Sequence, residues 1–145
     1  MSVAFNSLLG LSYRSVVIPH SELTFSASGA MTWTVDLVDV LFFRIDQIGK
    51  MAAISFNMAN TTIGGVVDVA LNITLPASRI GVFANKGGFN GQAPLFLTGT
   101  SGNVIGWINP GDSDRVLSFR MPGLGNWALS ANTQNFSGCV FTPLA

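Results

Sequence analysis

Hydrophobic and polar residues alternate along much of this chain, with the period of two that predicts β-strands having one buried face. The clearest segment covers residues 67–75, and a second covers residues 52–58. Residues 60–65 between them, NTTIGG, have the composition of a turn. We therefore expect the two segments to pair as a hairpin.

The same pattern extends upstream, where residues 31–37 alternate around Trp33. Residues 40–45 form a short, nearly continuous apolar run, which is typical of a strand buried on both faces. Gly49 and Lys50 follow and predict a turn before residues 52–58.

Downstream, six more short segments of strand character are separated by turns that contain glycine or proline. They cover residues 79–85, 94–98, 104–109, 115–121, 127–132 and 138–142. Roughly nine or ten short strands predict an antiparallel, all-β jelly-roll sandwich. We assign residues 31–145 to this single domain, and residues 1–30 to an N-terminal arm that packs on the domain or on a neighbour.

Charged residues make up 10% of the chain, against about 25% in ordinary soluble domains. Seven basic and seven acidic residues are scattered, which argues against nucleic-acid binding. Apolar runs stay well below the roughly 20 residues of a spanning helix, so no membrane insertion is expected. Extensive protein contact would explain the missing charge, and we expect a homo-oligomer.

Candidate chemistry is sparse, and we expect a non-enzymatic protein with no catalytic residue, cofactor or metal. His20 is the only histidine, so a hydrolytic triad has few ways to form. The turn with Asn109, Asp112 and Asp114 lacks the EF-hand order of calcium ligands. Cys139 is the only cysteine and has no basic neighbour in sequence, which favours a small buried residue.

Seven aromatic residues are predicted, from strand parity, to pack in the core or at subunit contacts: Trp33, Phe56, Phe83, Phe96, Trp107, Phe119 and Trp127. The alternative is a carbohydrate-binding sandwich that recognises a cell-surface glycan. Some tryptophans would then face solvent beside a ligand loop that contains Lys86, Phe89, Asn90 and Gln92.

Several motifs occur in a suggestive order: MTWTVD at residues 31–36, VLFFRI at 40–45, QIGK at 47–50, NTT at 60–62 and LNITLP at 71–76. This order resembles the TNF/C1q-like jelly-roll head domains of bacteriophage tail fibres and related virion-surface proteins. The resemblance implies a homotrimer on the virion, assembled in the host cytoplasm. It also implies contacts with other virion proteins and with a host-surface glycan or protein. Only about thirty residues precede the similar region, so a capsid decoration protein is expected as readily as a fibre head.

Overall fold

The computed structural model describes residues 12–84, 92–100, 102–110 and 115–145, and within these ranges the chain is all-β. The predicted fold class is confirmed: one antiparallel sheet curls into a half-barrel consistent with a β-sandwich. The described ranges contain ten strands: β1 (Tyr13–Val17), β2 (Thr24–Ala27), β3 (Met31–Thr34), β4 (Val40–Ile48), β5 (Met51–Gly65), β6 (Ala70–Thr74), β7 (Ala93–Gly99), β8 (Val104–Pro110), β9 (Val116–Arg120) and β10 (Ser130–Pro143).

Nine of these strands follow one path across the sheet, in the order β1-β4-β5-β10-β7-β8-β9-β6-β2. β3 lies off this path and pairs with β5. The long β5 therefore has β4 beside its first half and β3 beside its second half. The predicted turn between β4 and β5 is confirmed, and Gly49 adopts a left-handed backbone there (φ 55°).

The predicted hairpin between residues 52–58 and 67–75 is wrong. Asn60 does adopt a left-handed backbone (φ 62°), but it interrupts the register of β5 and β10 instead of reversing the chain. β5 then continues, with Thr61 and Ile63 buried again. β6 pairs with β2 and β9. Pairing with β10 and β3 thus outweighs the local turn preference.

Three other predicted strands need correction. Residues 79–85 form no strand where they are described, because residues 76–80 turn and Phe83 makes a single bridge to Leu144. Segments 127–132 and 138–142 are not separate strands, since β10 runs unbroken from Ser130. β6 begins only at Ala70, because the Asp68 carboxylate accepts the Val69 N–H (2.7 Å) in a local bend.

The core lies on the inner, concave face of the sheet and is built around stacked aromatic rings. The Phe56 ring lies 5.1 Å from that of Phe119 and 5.7 Å from that of Phe43. Gly138 is paired with Phe56, and a Cβ there would lie 3.2 Å from the Phe56 ring and 2.6 Å from Ile108 Cδ1. The missing side chain lets these rings pack against β10.

Residues 12–30, assigned to an arm from the sequence, contribute β1 and β2 to the sheet, and residues 1–11 lie outside the described part. Ile18 and Leu23 are buried in the shared core. Arg79 donates two hydrogen bonds to the Glu22 carboxylate (2.5 and 2.6 Å). These bonds, aided by the charge of Arg79, hold the pKa of Glu22 below its ordinary value. The ion pair fastens this segment to the turn at residues 76–80.

Candidate interaction surface

The outer, convex face of the sheet carries large apolar side chains with no described element packed over them. β4 shows this most clearly, because Phe43 is fully buried on the inner face while Phe42 is 47% exposed. The prediction that residues 40–45 are buried on both faces is therefore wrong. The apolar run reflects one buried face and one face left in solvent.

A single row of outward side chains crosses five strands, since antiparallel partners point to the same side of a sheet. The register places Phe42, Asn57, Ser137, Phe96 and Ile105 in this row. Phe96 is 51% exposed and Ile105 is 54% exposed. Large side chains thus lie at both ends of the row and small polar ones between them.

The middle of this region has a floor of small side chains from β5 and β10. Ala53, Ser55 and Cys139 point outward there, and Ser55 Oγ lies 3.3 Å from Cys139 Sγ. Cys139 is exposed, so the prediction of a buried cysteine is wrong. Phe141, also on β10, is 65% exposed. We call this region, with Phe42, Phe96, Ile105 and Phe141 at its margins, the apolar outer face.

Charges at the border of the apolar outer face are paired with each other. Arg44 Nη2 lies 2.6 Å from Asp46 Oδ2, and the Tyr13 hydroxyl donates to the same carboxylate (3.0 Å). Burial raises the pKa of Asp46, but hydrogen bonds from Ser15, Arg44 and Tyr13 outweigh it and leave the pKa below its ordinary value. The ion pair therefore adds no net charge to this surface at neutral pH.

The other part of the outer face, on β8, β9, β6 and β2, is polar. Asn109, Ser118, Asn72 and Ser26 form one outward row through their strand partners. Ser118 donates a hydrogen bond to Asn72 (2.7 Å). We call this row the polar ladder. Trp107, which is 44% exposed, stands at the border between the two regions and pairs with Arg120.

The seven aromatic residues selected from the sequence divide between the two faces. Five are buried, namely Trp33, Phe56, Phe83, Phe119 and Trp127, while Phe96 and Trp107 are exposed. Of the predicted ligand loop, Lys86, Phe89 and Asn90 lie outside the described residues, and Gln92 is exposed. The structure therefore brings Phe96, but not the buried tryptophans, to the surface that a partner can reach.

Three exposed residues of the apolar outer face, Phe42, Ile105 and Phe141, were missing from the sequence selection. Strand phase alone could have found Phe42 and Phe141, since each is adjacent to an apolar residue on the opposite face, Phe43 or Val140. Ile105 shares its strand face with Trp107, which parity assigned to the core, whereas the buried face of β8 contains Gly106 and Ile108. In a run of consecutive apolar residues, the sequence does not show which side chains point outward.

Within the described residues, no group of three or more histidine, cysteine or acidic side chains could hold a metal ion. No helix there is long and apolar enough to cross a bilayer. The chain matches no protein-family model, no curated protein and no solved structure in the three comparisons made.

Proposed function

We propose that this protein is a non-enzymatic structural module that assembles with copies of itself through the apolar outer face. The observation that supports this most strongly is the exposure of Phe42, Phe96 and Phe141 on one side of a sheet whose other side already holds a complete core. Apolar patches of several hundred Å² on soluble proteins mark interaction sites.

The energetics favour a partner that is apolar as well. The four large side chains leave roughly 400 Å² in solvent, estimated from their exposed fractions and the 150–250 Å² of an aromatic side chain. Burying that area stabilises a complex by about 10 kcal/mol. The loss of translational and rotational freedom on association costs about 4–15 kcal/mol. A second copy that buries the same kind of surface doubles the gain, which makes self-association favourable.

A more specific form of the proposal is a homotrimeric bacteriophage virion-surface protein, either a fibre head or a capsid decoration protein. It is supported by the order of the motifs around Trp33, Phe42 and Leu71, and by the low charge of the chain. The curvature of the half-barrel agrees with it, since different strips of a convex face can meet different neighbours in a closed ring.

The single cysteine offers a direct test, because Cys139 lies on the floor of the apolar outer face. The rate of alkylation by a small maleimide is measured over a range of protein concentrations. We expect slow labelling at high concentration and fast labelling on dilution, because assembly covers the thiol. Equal rates in the associated protein and in protein diluted until it dissociates would place the contact elsewhere and refute the proposed interface.

A further inference from the structure

We propose that the border between the two outer regions is a binding site for a sugar that carries a carboxylate. The site combines the exposed Trp107 indole, the Arg120 guanidinium and the polar ladder of Asn109, Ser118, Asn72 and Ser26. This function is separate from self-assembly and does not depend on it.

The stacking platform is Trp107. Trp33 and Trp127 are 6% and 1% exposed, whereas Trp107 is 44% exposed on the outer face of the sheet. An indole has a broad apolar face and a polar N–H at its edge, so it can contact the C–H face of a pyranose and still hydrogen-bond. Among the described tryptophans, only Trp107 has a ring that a ligand can reach.

The acid-selecting group is Arg120, which is paired with Trp107 on the neighbouring strand. Directly opposed residues in an antiparallel pair have Cβ atoms about 5 Å apart. The Arg120 side chain has no hydrogen-bond or ion-pair partner among the residues that the structure describes, unlike Arg44 and Arg79, which are paired with carboxylates. The outward positions of β8, β9, β6 and β2 include no acidic residue. A planar guanidinium without a partner among the described residues matches the two oxygens of a carboxylate.

The polar ladder supplies neutral hydrogen-bonding groups beside this pair. Asn109, Ser118 and Asn72 are half-buried, and the bond from Ser118 to Asn72 fixes the orientation of one amide oxygen. The exposed Gln92 immediately precedes Ala93, whose partner is Ile108, so it comes beside Asn109 and extends the row. Strand spacing of about 4.8 Å gives the row a width that fits two or three pyranose rings.

Neutral donors and acceptors suit sugar hydroxyl groups, and the unopposed Arg120 adds a preference for an acidic sugar. A phosphate-rich ligand such as nucleic acid would need several cations, and β8, β9, β6 and β2 offer only Arg120. The apolar outer face ends at Ile105, two residues before Trp107 on β8, and β9, β6 and β2 lie beyond it in the sheet.

The test compares 3′-sialyllactose with lactose, and a trimer of galacturonate with galactotriose, by tryptophan fluorescence of the full-length protein. We expect saturable changes in emission with the acidic member of each pair and at least about tenfold weaker binding of the neutral member. Equal binding of the acidic and neutral sugars, or binding of neither, would overturn the proposal.

Variants assign the effect to the site. Trp107→Ala should abolish the fluorescence response, and Arg120→Gln should reduce binding of the acidic sugars to the level of the neutral ones. Arg120→Lys should keep part of the preference, because it retains the charge but not the planar fork. Arg44→Gln is the matched control, since that arginine is also on the outer face but is paired with Asp46. Unchanged binding by Arg120→Gln would exclude this site.

The same experiment separates this inference from self-assembly. Phe96→Asp should disrupt association and leave binding of acidic sugars intact, with folding of each variant checked by circular dichroism. Two results together would contradict a site at Trp107 and Arg120. The first is that the Phe96→Asp variant, folded and dissociated, no longer binds acidic sugars. The second is that the Arg120→Gln variant binds them as well as the parent protein does.

Discussion

Phe42 and Phe43 are neighbours in β4, yet one is 47% exposed and the other is completely buried. The same difference separates Phe96 from Leu97 in β7 and Phe141 from Val140 in β10. The inner face is complete within one chain, because its rings stack on each other and its polar groups are mostly paired. The outer face offers similar side chains without covering them. The inner face therefore accounts for folding, and in the proposed assembly the outer face accounts for association.

The largest expected effect comes from Phe119→Ala on the inner face. Phe119 is fully buried and its ring contacts those of Phe56, Trp33 and Phe136. We expect the free energy of unfolding to fall by about 3–5 kcal/mol. Phe96→Ala should change it by no more than about 0.5 kcal/mol in dilute, dissociated protein. Urea titrations followed by circular dichroism measure the free energy of unfolding of both variants. Equal losses in the two variants would contradict the different roles assigned to the two faces.

The second effect concerns association. Replacing Phe96 and Ile105 together with aspartate should weaken self-association by at least about 100-fold, since an unpaired charge buried at a contact costs about 3 kcal/mol or more. Folding should be retained, because both side chains are half exposed. Thr74→Asp, on the outer face of β6, is the control. Sedimentation velocity follows the change, and an unaltered oligomer in the double variant would argue against this interface.

A smaller effect tests the polar contacts of the enclosed face. The Trp33 indole N–H donates to Thr61 Oγ (3.1 Å), and that hydroxyl donates to the Gln134 carbonyl (3.1 Å). Thr61→Val keeps the shape but removes both bonds, so we expect a loss of about 1–3 kcal/mol in the free energy of unfolding. Thr34→Val, on an exposed position of β3, should have almost no effect. A comparable decrease in the free energy of unfolding in the two variants would show that the effect of removing the hydroxyl does not depend on its burial.

The smallest effect is the pH dependence of the Glu22–Arg79 ion pair. The pKa of Glu22 is lower in the folded protein than its ordinary 4.5, so the ion pair stabilises the fold above that pH. This stabilisation is lost as the pH falls through the lowered pKa. At pH 7, the melting temperature of Glu22→Gln should therefore be slightly lower than that of the parent protein. At strongly acidic pH, the two melting temperatures should be the same. A difference between the two proteins that grows on acidification would contradict this linkage.

The sequence was sufficient for the fold class, because alternation at Ala52, Ile54 and Phe56 and at Leu71 and Ile73 matches the buried positions. It was insufficient for the pairing of β5 and β6. A left-handed asparagine serves a bulge as well as a turn, and only the partner strands decide between them. Likewise, apolar character at Phe42 could not show whether another layer covers it.

The interaction surface was predictable only in part for the same reason. Phe96 and Trp107 were selected as aromatic strand residues, but nothing local separates them from Phe119, which is buried. Arg120 belongs to no sequence motif, and only its pairing with Trp107 on the neighbouring strand makes it a candidate binding residue. Registers across β8 and β9 create that pair, and they depend on contacts between residues that are distant from each other in the sequence.

The central claim is that the apolar outer face is covered by further copies of this chain. Light scattering behind a sizing column, at several protein concentrations, tests it most directly. We predict a mass at the higher concentrations that is a multiple of 15.3 kDa, and a trimer in the specific form of the proposal. A single-chain mass at every concentration would contradict the claim and leave Phe42, Phe96 and Phe141 without the partner that their exposure implies.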